Sequence, residues 1–147
     1  KARSGVTLKL SEKNSNFPIP KREEQGRLLI VDDETSICEE FSETLEHEGF
    51  RVDYADSGEG GIKKLSEKEY DLVFLDSSMP WMTGDKVFEK IRQISEVPVV
   101  FISGFISPEK KRKVMAMGAV SCLEKPLDVK HVKSLAHSII RRNFNTN

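Results

Sequence analysis

The chain is poor in cysteine, in tryptophan and in long apolar runs, and each shortage excludes something. Its two cysteines, Cys38 and Cys122, make neither a disulfide framework nor a metal-ligand spacing, so both are read as core thiols. No apolar stretch is long enough to span a bilayer, and the first residues carry no leader pattern, so a soluble cytoplasmic protein is expected. Neither sign of charge is in excess: 23 basic against 24 acidic side chains leave a formal net charge of −1. Nothing global therefore points to nucleic acid or to a membrane surface as a partner. With 147 residues, 37% of them hydrophobic, the chain can bury one core. It does not begin with Met, and it is read as a fragment.

What is present is unevenly spread. Residues 1–26 hold six basic and three acidic side chains, which leaves +3 there and −4 in the remainder. "SEKNSN", "PIP" and "KREEQG" carry little periodicity, so residues 1–25 are read as a linker or tail and residues 26–147 as the domain. Only "GVTLKL", Gly5 to Leu10, alternates in the manner of a short strand.

From Arg27 onward the hydrophobic period switches repeatedly. "RLLIV" is an apolar run of strand length, followed by Ile37, Phe41 and Leu45 at helical spacing, with Gly49 where that helix needs a left-handed end. "RVDYA" predicts a second strand and "SGEGGIKKLSEK" a glycine-weakened helix that Ser57 caps. "DLVFL" predicts a third strand, and Gly84 to Ile94 a helix with Val87, Phe88 and Ile91 on one side. "VPVVFI" and "SPEKKRKVMAMG" give the fourth pair, with Pro108 in the first turn and Gly118 past the end. "VSCLEKP" predicts a fifth strand, and Val132, Leu135, Ala136, Ile139 and Ile140 line one face of a last helix. Alternation of this kind demands a doubly wound parallel sheet, and strands apolar on both sides agree with it.

In such folds, ligands bind beyond the carboxyl ends of the strands. There the chain places Asp32 and Asp33 after the first strand, Asp76 after the third, Ser103 after the fourth and Lys125 after the fifth. Singly each has a bland reading: Asp33 or Glu34 as a helix cap, Ser103 as a turn residue, Lys125 as a solvated charge. Together they describe a rim where three carboxylates would repel one another unless a cation neutralised them. A hard divalent ion such as Mg²⁺ suits oxygen ligands of this kind. An aspartate there can attack phosphorus to form an acyl phosphate, with Lys125 and the Ser103 hydroxyl offsetting charge on the transferred group.

From Gly26 to Arg142 the chain resembles the receiver domains of two-component response regulators, through "LLIVDDE", "DLVFLDSSMPWMTG", "VPVVFISG" and "CLEKP" in order and at the family's spacing. The resemblance implies a flavodoxin-like (βα)₅ fold with strand order 2-1-3-4-5. It assigns Asp76 as phosphoacceptor and Asp32, Asp33, Asp76 and the Ser78 carbonyl as Mg²⁺ ligands. Ser103 becomes the switch hydroxyl, and Lys125 the lysine before a cis proline, Pro126. The implied donor is a phosphohistidine on a histidine kinase or a histidine phosphotransfer protein, and phosphorylation-dependent dimerisation is a further expectation. The family's aromatic three residues before the lysine is Cys122 here, so the ring-burial part of the switch is missing.

Two rival classes remain to be weighed. A haloacid-dehalogenase-type phosphatase would need a second aspartate where Ser78 stands, and a phosphorylation-independent pseudo-receiver usually lacks an acid or the lysine. Upstream, "ARSGVTLKL" faintly resembles the last strand of a histidine-kinase ATP-binding domain. That suggests the C-terminal receiver of a hybrid sensor kinase, with a free-standing single-domain regulator as the alternative. Little chain follows the last helix, so no DNA-binding output domain is expected within it. The basic run "EKKRK", Glu109 to Lys113, is read as a solvated helix face, and Trp81 as a partly exposed loop residue near the pocket.

Overall fold

Apolar runs without alternation become strands covered on both faces. The computed structural model describes residues 25–79 and 82–145, and in them five strands alternate with five helices. They run β1 (Arg27–Val31), α1 (Thr35–His47), β2 (Arg51–Ala55), α2 (Gly58–Glu67), β3 (Leu72–Asp76), α3 (Gly84–Ile94), β4 (Val99–Ser103), α4 (Pro108–Ala116), β5 (Ser121–Glu124) and α5 (Val129–Asn145). The sheet is parallel in the order β2-β1-β3-β4-β5, the flavodoxin-like arrangement. The tail with its candidate strand at Gly5–Leu10, and Trp81, lie outside the described residues.

Successive residues of the central strands feed opposite faces of the sheet. Leu28, Ile30, Leu72, Phe74, Val100 and Ile102 meet Cys38, Phe41 and Leu45 of α1 and Val132, Ala136, Ile139 and Ile140 of α5. Leu29, Val31, Val73, Leu75, Val99 and Phe101 meet Val87, Phe88 and Ile91 of α3 and Val114 of α4, with Ile62 and Leu65 of α2 half-buried beside them. Two cores thus share one sheet, and the polar ends of the strands are left at its rim.

Element ends follow local chemistry. Gly49 and Gly118, at φ +101° and +110°, close α1 and α4: Gly49 N–H donates to Glu46 O and Phe50 N–H to Leu45 O, and the same pair of bonds joins Gly118 to Met115 and Ala119 to Val114. This is the Schellman pattern, which calls for a residue free to adopt positive φ. The Ser57 hydroxyl caps α2 by accepting from Gly60 N–H, and Ser107 caps α4 through Lys110 N–H. Two strands are shorter than predicted. β4 starts at Val99 because Pro98 has no N–H for the ladder, and β5 ends at Glu124 as the chain reaches Pro126. The last helix runs to Asn145.

Candidate functional site

Each candidate residue hangs at the carboxyl end of a strand. Asp32 follows β1 and is held by its N–H bond to Ala55 O, while its Oδ1 accepts from Glu34 N–H at 2.9 Å. Asp76 ends β3, and its Oδ1 accepts from Ser78 N–H at 3.3 Å. Both are buried, Asp32 at 0% and Asp76 at 3% exposure, whereas Asp33 is exposed. Carboxylate oxygens of Asp32, Asp33 and Asp76 all fall within 4.8 Å of one another. Lys125, anchored by its N–H to Ser103 O at 2.7 Å, precedes a cis proline. Its Nζ reaches in to 3.1 Å from Asp32 Oδ2 and 3.8 Å from Asp76 Oδ2.

The pocket is electrostatically loaded. Burial first, and then the Asp32 carboxylate, push the Asp76 carboxyl up to about 7. Burial would lower the pKa of the Lys125 ammonium, but the carboxylates of Glu34, Asp32 and Asp76 outweigh it and raise it. Asp32 Oδ2 is buried without a donor in good hydrogen-bond geometry, the Lys125 ammonium 3.1 Å away serving it as an ion-pair partner. An orphaned carboxylate oxygen among three acids is what a hard cation with oxygen ligands would satisfy, so the residues fit Mg²⁺. Beneath them the Cys38 thiol donates to Asp32 O at 3.4 Å and is pushed up to about 12, chiefly by burial. It is a protonated core group, as expected.

Ser103 lies in the same rim but its hydroxyl is engaged elsewhere. Its Oγ donates to Phe105 O at 2.6 Å and accepts from Phe105 N–H at 3.2 Å, both bonds of one local turn. Ser78 is exposed, and its backbone bridges to Thr83 across the β3–α3 loop. Three contributors escape sequence reasoning. Glu34 Oε1 accepts from Lys125 Nζ at 2.8 Å across a separation of 91 residues. Gly84 presses on the site from below: a Cβ there would meet Ser77 Cα at 2.7 Å and Asp76 O at 2.8 Å. Asp85, held well below the usual carboxylate range by the Thr83 hydroxyl and by Lys113, ties α3 to α4 through a 2.9 Å ion pair. Its basic partner belongs to the run read as a solvated face, and Lys111, Arg112 and Lys113 are indeed exposed.

Cys122 differs from expectation. It is half-buried rather than sequestered, and it opens onto a cavity of about 660 Å³ between α4, β5 and α5, beside Ile106, Lys111, Leu127 and His131. A small side chain at this place leaves the groove open.

Comparison with known proteins agrees with this architecture. Residues 28–137 match the response regulator receiver domain, a span that includes Asp32, Asp33, Asp76, Ser78, Ser103 and Lys125. The chain is 35% identical over 118 residues to the transcriptional regulatory protein CpxR homolog of Haemophilus influenzae, covering 80% of this chain and 52% of that protein. It is 30% identical over 116 residues to response regulator ArlR of Staphylococcus aureus, covering 79% and 53%. The chain therefore spans about half the length of the curated relatives it matches. A solved two-component response regulator from Clostridium difficile superposes with a TM-score of 0.76 at 27% identity, over 79% of this chain and 96% of that one. Fold, rim and sequence agree, and this chain belongs to the response regulator receiver domain family.

Proposed function

We propose that the chain is a phosphoacceptor signalling domain that takes a phosphoryl group from a phosphohistidine onto Asp76. The observation that carries this reading is the buried Asp76 carboxyl set between Asp32 and the Lys125 ammonium, with Asp32 Oδ2 left without a donor. In the transfer, an Asp76 oxygen forms a bond to phosphorus as the P–N bond to the donor imidazole breaks, and the electron pair stays on the imidazole nitrogen. Hydrolysis returns the carboxylate and releases phosphate. Asp32, Asp33, Asp76 and the Ser78 carbonyl would hold Mg²⁺, which when bound offsets the carboxylates and the charge on the transferred oxygens. Lys125 turns its ammonium to a phosphoryl oxygen. Ser103 leaves Phe105 O to donate to another, and α4 and β5 shift with it.

The expected donor is a histidine kinase or a histidine phosphotransfer protein, in the cytoplasm. We read residues 1–25 as a linker and 26–147 as the receiver, C-terminal to a hybrid histidine kinase; the coding sequence upstream of Lys1 tests this. The relative named a transcriptional regulatory protein is about twice as long as its matched segment, so this segment is assigned no nucleic-acid contact. Acetyl phosphate with Mg²⁺ should label the chain by one phosphoryl group in intact-mass measurement, and Asp76→Asn should abolish the label. Stable labelling of the Asn variant would refute the assignment.

A further inference from the structure

Three carboxylates share the Lys125 ammonium. Its shortest contact runs to Glu34 Oε1 at 2.8 Å, ahead of Asp32 Oδ2 at 3.1 Å, while Asp76 Oδ2 stands 3.8 Å away, beyond hydrogen-bond reach. The Glu34 side chain is 56% exposed and that of Lys125 18%, so the ammonium is held between a carboxylate at the mouth of the pocket and the buried Asp32. Glu34 is also the N-cap residue of α1, yet its side chain makes no capping bond. Helix formation therefore leaves the carboxylate free to serve the lysine.

We propose that Glu34 is a positioning residue that parks Lys125 away from Asp76 in the unphosphorylated domain and competes with the phosphoryl group for its ammonium. The inference rests on the reading of Asp76 as phosphoacceptor. An oxygen on phosphorus that turns the ammonium toward Asp76 stretches its bond to Glu34, so part of the stabilisation that Lys125 offers is lost in weakening the resting pair. Exposed pairs of this kind are weak, which sets the expected effect at about two- to fivefold.

The test is a double-mutant cycle on the full chain with acetyl phosphate as donor and Mg²⁺ saturating for each protein, comparing the parent, Glu34→Gln, Lys125→Ala and the double variant. Intact mass gives the labelled fraction at steady state and its decay after donor removal. Glu34→Gln should raise the labelled fraction, lengthen its lifetime or do both, by about two- to fivefold, and should do neither when Lys125 is already alanine. A purely structural or through-space charge effect would persist in the alanine background, and that result overturns the proposal. So does a labelled parent whose labelling and decay Glu34→Gln leaves unchanged. A parent that takes no label, or an Asp76→Asn variant that labels equally, overturns the phosphoacceptor reading and this inference with it.

Discussion

Asp76 keeps its proton to a higher pH in the fold than in the unfolded chain, and this has a thermodynamic sign. An unperturbed aspartate titrates near 3.9, whereas here burial and the neighbouring Asp32 carry the group up to about 7. Between those values the folded state binds more protons than the unfolded state, so metal-free stability should fall as pH rises from about 4 to about 7 and then level off. On the proposed reading a divalent cation would reverse the trend by replacing the proton. Mg²⁺ at about a hundredfold over its Kd would add roughly 2.7 kcal/mol, most fully above pH 7, where protons compete least. Urea unfolding at pH 5 and 7.5, with and without Mg²⁺, checks this. A metal-free domain equally stable at both pH values would contradict it. At the same scale Ser103 has one hydroxyl proton, now donated to Phe105 O, and on the proposed reading that bond would be given up for a phosphoryl oxygen on Asp76.

At the scale of elements, the site depends on how closely helices can approach strand ends. The N-terminus of α3 sits against the backbone of Asp76 and Ser77 because position 84 has no side chain. Gly84→Ala should push α3 off the β3 end, at a cost of about 1–3 kcal/mol, and should also slow labelling of Asp76. Urea midpoints and labelling rates would show it, and an alanine variant matching the parent in both would contradict the packing argument. The α4–β5–α5 face carries the groove opened by Cys122. With no ring there to bury or expose, the proposed movement of Ser103 would reach that surface mainly through the backbone. Phosphorylation should therefore change self-association or donor-protein affinity only a few-fold, below a typical coupling of about 1–3 kcal/mol. Cys122→Tyr, which would place a ring beside a groove of about 660 Å³, should enlarge the response. Sedimentation with and without beryllofluoride measures it, and a large parent response that the tyrosine leaves untouched would place the coupling elsewhere.

At the scale of the whole molecule, the two cores run, among the described residues, from Leu28 to Ile140. On the proposed reading of the tail as a linker, deleting residues 1–24 should shift the Tm by no more than about 2 °C, and a calorimetric drop far beyond that would overturn that reading. The fold is legible in the sequence because periodicity, caps and strand composition all agree: Val99 to Ile102 are apolar without interruption, and Gly49, Gly118 and Ser57 punctuate where geometry requires. The rim is legible for a related reason, since polar residues at the ends of buried runs have few other places to go. What stays illegible is pairing at a distance. Nothing near Glu34 in the chain indicates that its partner is Lys125, and nothing near Lys113 indicates Asp85, because both bonds exist only once separate elements are assembled. The turn that holds Ser103 is local, yet it is one of several a serine can make, and packing selects it. Sheet order has a last consequence. Asp32 and Asp76 become neighbours because β1, paired with β2 along one edge, takes β3 along the other, so a chain leaving the ribosome carries only part of the acidic rim until residue 76 has emerged and docked. Synthesis runs from the N-terminus, so on the proposed reading a nascent or misassembled chain would offer a phosphohistidine no reactive centre. Readiness to be written upon would then certify that the middle of the molecule is finished.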